Sequence, residues 1–146
     1  MPGYIFGFVL AILLWEKGFA EFQCPNSSGY YPDPEQCDLY YECRGGVAKQ
    51  KLCKDGLVFN DKNPLYERCD YPFAVTCGDR EYLQTPQESK NCPRRNGLFP
   101  NEKARNCKSF WQCTDGVASK MNCQTGLAFN PATGTCQWKY LVPQCG

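Results

Sequence analysis

The chain opens with one long apolar run and then changes to short stretches in which apolar and polar residues alternate. The run is YIFGFVLAILLW, residues 4–15, and it is too short to span a bilayer comfortably. Gly18 and Ala20 then supply small residues at the −3 and −1 positions of a cleavage site. The pattern predicts a signal peptide over residues 1–20, with a membrane anchor or a buried strand as the alternatives. No later segment is apolar enough to span a membrane, so we expect the mature chain, from Glu21, to be secreted and free of the membrane.

The alternating stretches predict two β-hairpins of the same design. Each has aromatic residues on one arm and glycine in the turn, which is typical of hairpins. The arms are residues 39–43 and 46–53 in the first hairpin and residues 109–113 and 117–123 in the second. A smaller hairpin follows each of them, over residues 57–71 and 127–138. No segment has the period of a long helix, so the elements predict an all-β protein.

The cysteines show that the chain is a tandem duplication. The first set of six is Cys24, Cys37, Cys43, Cys53, Cys69 and Cys77, and the second is Cys92, Cys107, Cys113, Cys123, Cys136 and Cys145. The gaps between successive cysteines are 12, 5, 9, 15 and 7 residues in the first set and 14, 5, 9, 12 and 8 in the second. We therefore predict a first module over residues 21–78, a linker over residues 79–91 and a second module over residues 92–146.

Each module is too short to bury a large hydrophobic core, so disulfide bonds must carry much of its stability. A bridge that closes a loop of about 15–20 residues contributes on the order of 3 kcal/mol. Six cysteines allow fifteen pairings, and spacing alone does not select among them. Cysteines behind a signal peptide are expected to oxidise rather than to form a cysteine-only zinc site. In the same compartment the sequon Asn26-Ser27-Ser28 predicts glycosylation of Asn26, with an unused match as the alternative.

Charge and residue chemistry exclude several classes of function. The net charge is +1, which gives no electrostatic footprint for nucleic acid. The chain has no His, which is the commonest general base and a frequent zinc ligand. Acidic residues near the first hairpin are mostly replaced by neutral or basic residues in the second module. We therefore expect a protein that is not an enzyme and that needs neither a cofactor nor a metal.

Adjacent aromatic residues in the larger hairpins supply the first candidate binding chemistry. Neighbours in a strand point to opposite faces, so Tyr40 and Tyr41 cannot both face the interior, and neither can Phe110 and Trp111. We expect one ring of each pair to pack inside. Tyr41 and Trp111 are the candidates for an outer platform, with partial cover of a small core as their alternative role.

A second aromatic position lies in the smaller hairpins, two residues after the fifth cysteine of each set. It is occupied by Tyr71 and Trp138, and packing against Leu57 or Leu127 is the alternative role of these rings. Phe59 and Phe129 lie in apolar strands and are predicted as core. A flat exposed ring suits the apolar C–H face of a β-linked sugar, because few torsions are frozen on binding. Asn60 and Asn130 are predicted to bond the sugar hydroxyls and acetamide, and two modules raise avidity for a repeating polymer.

The combined pattern resembles a known family. Six cysteines, C-x-x-[YF]-[YW]-x-C, then G-V-A, then C-x-x-G-L-x-F-N, then C-x-[YW], resemble the type 2 chitin-binding domain, also called the peritrophin-A domain. The resemblance covers residues 24–77 and 92–145. The order of signal, module, linker and module resembles the arthropod obstructor or Gasp-type cuticular proteins analogous to peritrophins. Those proteins carry three modules and this sequence contains two, so a two-module relative and a piece of a longer protein are both open.

The resemblance implies a fold and a disulfide pattern. Each module is expected to be small, disulfide-rich and all-β, with a three-stranded antiparallel sheet followed by a two-stranded hevein-like hairpin. The first cysteine of each set is expected to pair with the third, the second with the sixth and the fourth with the fifth. The implied bridges are Cys24–Cys43, Cys37–Cys77, Cys53–Cys69, Cys92–Cys113, Cys107–Cys145 and Cys123–Cys136.

The resemblance also implies a ligand, chitin, which is a β-1,4-linked polymer of N-acetylglucosamine. The implied ligand face is the smaller hairpin of each module, and the predicted contacts are Leu57, Asn60, Tyr71, Leu127, Asn130 and Trp138, with Tyr41 and Trp111 as the competing platform. We therefore predict a secreted, non-catalytic monomer that coats or cross-links chitin fibrils in cuticle, tracheal lining or peritrophic membrane. The alternative is a disulfide-rich defence or protein-interaction module that binds microbial wall glycans or a protein partner.

Overall fold

A computed structural model of the chain describes residues 20–145. The predicted signal peptide, residues 1–20, lies outside the described residues apart from Ala20. Within the described range, no helix is long and apolar enough to cross a membrane.

The first module contains a three-stranded antiparallel sheet and a short hairpin. Strand β1 is Gly29–Pro32, β2 is Leu39–Arg44, β3 is Val47–Leu52, β4 is Val58–Phe59 and β5 is Cys69–Asp70. The sheet has the order β1-β2-β3, and β4 pairs with β5. One 3-10 turn, Pro72–Ala74, follows the hairpin.

The second module repeats this arrangement with a longer hairpin. Strand β6 is Gly97–Pro100, β7 is Ser109–Thr114, β8 is Val117–Asn122, β9 is Leu127–Asn130 and β10 is Thr135–Trp138. The sheet has the order β6-β7-β8, and β9 pairs with β10. Three 3-10 turns accompany them, Arg105–Cys107, Lys139–Leu141 and Pro143–Cys145. The predicted fold class is confirmed: two small all-β modules, each with a three-stranded sheet and a two-stranded hairpin.

Six disulfides hold the two modules, and each lies within one module. They join Cys24 to Cys43, Cys37 to Cys77, Cys53 to Cys69, Cys92 to Cys113, Cys107 to Cys145 and Cys123 to Cys136. These are the pairs that the family resemblance implied. No cysteine within residues 20–145 is free.

The small core of each module is an aromatic stack between its sheet and its hairpin. Tyr40 of β2 stacks on Phe59 of β4 with ring centroids 4.5 Å apart. Phe110 of β7 stacks on Phe129 of β9 at 4.3 Å. Phe59 and Phe129 are almost fully buried, as predicted. The expectation that one ring of each adjacent pair packs inside is therefore confirmed, and the inner rings are Tyr40 and Phe110.

The Tyr40 hydroxyl is anchored within this stack. It donates to Oε1 of Glu67 at 2.5 Å, and Lys51 donates to the same oxygen. Burial, followed by the hydrogen bond to Glu67, raises the pKa of Tyr40. The hydrogen bond from Lys51, followed by that from Tyr40, lowers the pKa of Glu67. The loop between β4 and β5 is thereby fastened to the sheet.

Candidate functional site

The hairpin of the first module brings Leu57 and Tyr71 to one face. Phe59 lies opposite Cys69 and Val58 opposite Asp70, so continuation of the same register places Leu57 beside Tyr71. Leu57 packs against the core cluster that contains Phe59. The Tyr71 ring is half-buried and stacks on Phe73, with ring centroids 5.3 Å apart and planes 25° apart.

The second module presents the equivalent pair with a more open ring. Trp138 lies directly opposite Leu127 in the register of β9 and β10. Its side chain is 55% exposed. A Cβ at Gly126 would lie 3.5 Å from the indole, so the ring rests beside this turn, where φ is +85°. An aromatic surface is thus held at the same place in both modules.

The predicted asparagines lie on the opposite face of each hairpin, where they stabilise its turn. Alternation along β9 puts Asn130 on the side away from Leu127. Its Nδ2 donates to Oε1 of Gln137 at 3.0 Å, and its Oδ1 accepts from the Ala132 amide at 3.0 Å. Asn60 is buried, and its Nδ2 donates to Oδ2 of Asp70 at 2.7 Å while its Oδ1 accepts from the Lys62 amide at 3.1 Å. Their contact with a sugar stays a prediction.

Tyr41 lies on the far side of the first sheet, and its ring is already covered. Phe22 stacks on it with centroids 4.0 Å apart and planes 5° apart. The hydroxyl donates to Oδ2 of Asp33 at 3.1 Å. Burial, followed by this hydrogen bond, raises the pKa of Tyr41. One face of the Tyr41 ring is therefore covered by the chain itself, and its contact with a sugar stays a prediction.

Trp111, the equivalent of Tyr41, is placed differently. Lys90 stands two residues before the first cysteine of the second module, where the first module has Phe22. Trp111 lines an open cavity of about 370 Å³ together with Glu88, Asn101 and Lys103. In the described part of the chain, no aromatic ring stacks on Trp111. The two modules thus differ on this face although their folds agree.

Two aromatic residues beside the hairpins were missed by the sequence reasoning. Phe73 follows Tyr71 by two residues, and Tyr140 follows Trp138 by two residues. Phe73 is 41% exposed and Tyr140 is 78% exposed. Extending the alignment of the two modules past the fifth cysteine would have found the pair, because both members are aromatic. The glycosylation candidate Asn26 is exposed, and its Nδ2 donates to the Tyr31 hydroxyl at 3.2 Å.

Comparison with known proteins gives a family match over both modules. The family described as chitin binding Peritrophin-A domain matches residues 22–77 and 92–145. Protein obstructor-E of Drosophila melanogaster is 40% identical over 123 residues, which cover 84% of this chain and 49% of the fly protein. The chain therefore spans about half the length of that relative.

Two further relatives differ in how much of them is matched. Peritrophin-1 of Anopheles gambiae is 29% identical over 155 residues, which cover 93% of this chain and 95% of the mosquito protein. An endochitinase of Manduca sexta is 38% identical over 53 residues, which cover 36% of this chain and 9% of the moth protein. The match to the relative named as an enzyme is thus about one module long.

Proposed function

The chain belongs to the chitin-binding Peritrophin-A domain family, and we therefore propose that it is a secreted, non-catalytic protein that binds chitin. We propose further that it coats or cross-links chitin fibrils in an extracellular matrix such as cuticle, tracheal lining or peritrophic membrane. The observation that carries the proposal is the repeated hairpin face, in which Tyr71 and Trp138 occupy the same position beside Leu57 and Leu127.

Binding proceeds by stacking of these rings on the apolar faces of N-acetylglucosamine residues. A rigid hairpin presents the ring with little conformational entropy to lose, and the disulfides Cys53–Cys69 and Cys123–Cys136 fix each hairpin to its sheet. Asn60 and Asn130 lie on the face of each hairpin opposite the rings, so they are proposed as polar contacts at the hairpin edge. One N–H and one carbonyl lone pair of each amide are engaged within the hairpin, so one N–H and one lone pair of each remain for a sugar hydroxyl.

A non-catalytic role is supported by the chemistry of the chain. The chain contains no His, so a general base of the commonest kind is missing from the sequence. The endochitinase of Manduca sexta shares only a segment of about one module, 9% of its length. Secretion and function as a monomer complete the proposal, with twelve paired cysteines suited to an oxidising compartment.

The proposal is tested by sedimenting oxidised residues 21–146 with chitin, cellulose and peptidoglycan in parallel. We expect depletion by chitin alone and its reversal by soluble N-acetylglucosamine oligomers. Depletion by peptidoglycan instead would favour the defence function, and no depletion by any polymer from a correctly oxidised sample would direct attention to a protein partner.

The binding face is tested by the double substitution Tyr71→Ala with Trp138→Ala. We expect retention on chitin to be abolished while the disulfides and the fold remain intact. Tyr82→Ala is the matched control, because it removes a ring that is 66% exposed and lies outside both hairpins. Survival of retention in the double variant would show that another face binds chitin.

A further inference from the structure

The two modules are joined by a buried carboxylate that fixes their relative position. Asp55, in the loop before β4, accepts from the backbone amides of Gln87 at 2.7 Å and Arg95 at 2.9 Å. It also accepts from Nη1 of Arg94 at 2.9 Å, and its side chain is fully buried. One residue of the first module thus binds both the linker and the start of the second module.

The backbones of the two modules come into direct contact at the same place. The Asp55 carbonyl accepts from the amide of Asn96 at 2.9 Å and from its Nδ2 at 3.1 Å. A Cβ at Gly56 would lie 1.7 Å from the carbonyl oxygen of Asn96, so no side chain fits there. Lys54 adds an ion pair to Asp115 at 3.3 Å. These contacts place one end of the first module against the second.

Phe73 makes a second contact across this junction. A Cβ at Gly134 would lie 2.2 Å from Cε1 of Phe73, so the ring rests directly on the backbone at the tip of the second hairpin. The same ring stacks on Tyr71 at 5.3 Å. Phe73 still keeps 41% of its surface exposed. An open aromatic surface therefore extends from the proposed chitin-binding ring of the first module to the hairpin of the second.

Polar groups suited to a sugar border this surface. Thr133 and Thr135 flank Gly134, are both exposed, and hold their hydroxyl oxygens 2.8 Å apart. From Gly134 the strand β10 leads to Trp138, about 13 Å further at a rise of about 3.3 Å per residue. The order along the molecule is thus Tyr71, Phe73, the hairpin tip and Trp138.

We propose that Phe73 and the tip of the second hairpin form a sugar-binding subsite across the junction, through which one β-linked N-acetylglucosamine chain passes from the first module to the second. The subsite is incomplete without the second module. That module supplies the polar border and the backbone at Gly134 against which the Phe73 ring rests. The proposal rests on the proposed function, because it assigns the way in which the same polymer is bound.

The test measures dissociation constants for chitin oligosaccharides of increasing length, from disaccharide to octasaccharide, by calorimetry with oxidised residues 21–146. Loss of one stacking ring corresponds to roughly 3- to 10-fold in affinity. We expect Phe73→Ala to weaken the longest oligomers by about this factor and to leave the disaccharide within about two-fold, because a disaccharide fits on one module. Tyr82→Ala is the matched control, since its ring is 66% exposed and lies outside both hairpins.

Two further substitutions separate binding from simple adhesion between the modules. Phe73→Leu keeps an apolar contact with Gly134 but removes the flat face, so we expect it to weaken long oligomers as Phe73→Ala does. Gly134→Asn puts a side chain where the ring rests, so we expect it to weaken the long oligomers as well. Asparagine tolerates the φ of +67° at this position. Gly45→Asn is its control, because Gly45 has a φ of +56° and open space around it.

The outcomes distinguish this proposal from the proposed function. If the unsubstituted protein binds no oligomer and no chitin, the proposed function fails and the subsite with it. If chitin is bound but Phe73→Ala weakens every oligomer equally, or weakens none, the chain does not cross the junction and the subsite alone is wrong. Wild-type affinity of Phe73→Leu for long oligomers would assign Phe73 to adhesion between the modules.

Discussion

The stack of Phe22 on Tyr41 shows how a single side chain can close a surface that its neighbours leave open. Strand alternation predicts that Tyr41 points away from Tyr40, and it does. Nothing in the local pattern indicates that Phe22, which precedes the first cysteine by two residues, lies flat on it. The contact depends on Cys24–Cys43, which brings the segment that contains Phe22 to β2. A ring that is covered by a distant segment is covered because of the tertiary structure. The hydrophobic periodicity of the sequence does not indicate such a contact.

We predict that Tyr41→Ala leaves retention on chitin within about two-fold, because the ring is already stacked, while losing roughly 0.5–1.5 kcal/mol of stability from the stack. Phe22→Ala removes the cover and is expected to raise retention or leave it unchanged. Lys90→Ala, at the equivalent place in the second module, is the control. Sedimentation with chitin and chemical unfolding of the oxidised proteins measure the two effects. A ten-fold loss of retention in Tyr41→Ala would place Tyr41 in the binding face.

The larger hairpins were predictable because their turns contain glycine and their arms alternate, and their observed bounds differ from the predicted ones by about one residue. Strands β1 and β6 followed only from the family resemblance, since each has four residues and ends in proline. Proline is accepted there because both are edge strands. Short edge strands carry too little pattern to be found from the residues alone.

The two smaller hairpins differ in a way that the cysteine gaps anticipate. The gap before the fifth cysteine is 15 residues in the first module and 12 in the second. The extra residues enlarge the connection: β4 and β5 have two residues each, whereas β9 and β10 have four each. Residues 61–68 are all exposed. The proposed binding face is therefore built on a shorter ladder in the first module.

We predict that limited digestion of the native protein by subtilisin cuts first within residues 61–68, because a long exposed loop reaches a protease more easily than the tight turn at residues 131–134. The cut chain should stay in one piece until reduction, since Cys53–Cys69 closes this loop. Mass spectrometry before and after reduction identifies the site. First cleavage at residues 131–134 would contradict the expected difference in protease access between the loops of the two smaller hairpins.

The arrangement of the two modules was the part of the structure that the sequence did not reveal. Residues 79–91 are polar and lack periodicity, which is equally typical of a free linker and of a segment that satisfies buried carbonyls. Arg80 is buried and donates to the carbonyls of Phe59, Thr76 and Cys77, so its segment is fastened to the first module. One signal was present: Asp55 is replaced by Thr125 at the equivalent position. Residues that are the same in both modules specify the fold of each module. A buried residue that differs between them, such as Asp55, marks the contact between the modules.

The pKa of Asp55 follows from its place at this junction. Burial alone would raise the pKa, but hydrogen bonds from the Gln87 and Arg95 amides and from Arg94 outweigh it and lower the pKa below its ordinary value. A carboxyl whose folded pKa is lowered contributes stability that is present above its unfolded value, about 3.9, and is lost as the pH falls through the folded value. The junction should therefore loosen only below about pH 4.

We predict that Asp55→Asn opens the junction without unfolding either module, because the disulfides lie within the modules and the amide can no longer accept from all three donors. Loss of one satisfied buried acceptor costs about 2 kcal/mol, which corresponds to roughly 30-fold faster hydrogen exchange at the Gln87 and Arg95 amides. Amides of β2 and β7 should be unchanged. Asp79→Asn, at an exposed position in the linker, is the control.

The wild-type protein should lose the protection of the Gln87 and Arg95 amides below about pH 4, after correction for intrinsic exchange rates, whereas Asp55→Asn should show no such step. Equal protection in both proteins at neutral pH would mean that the modules are held together without the carboxylate.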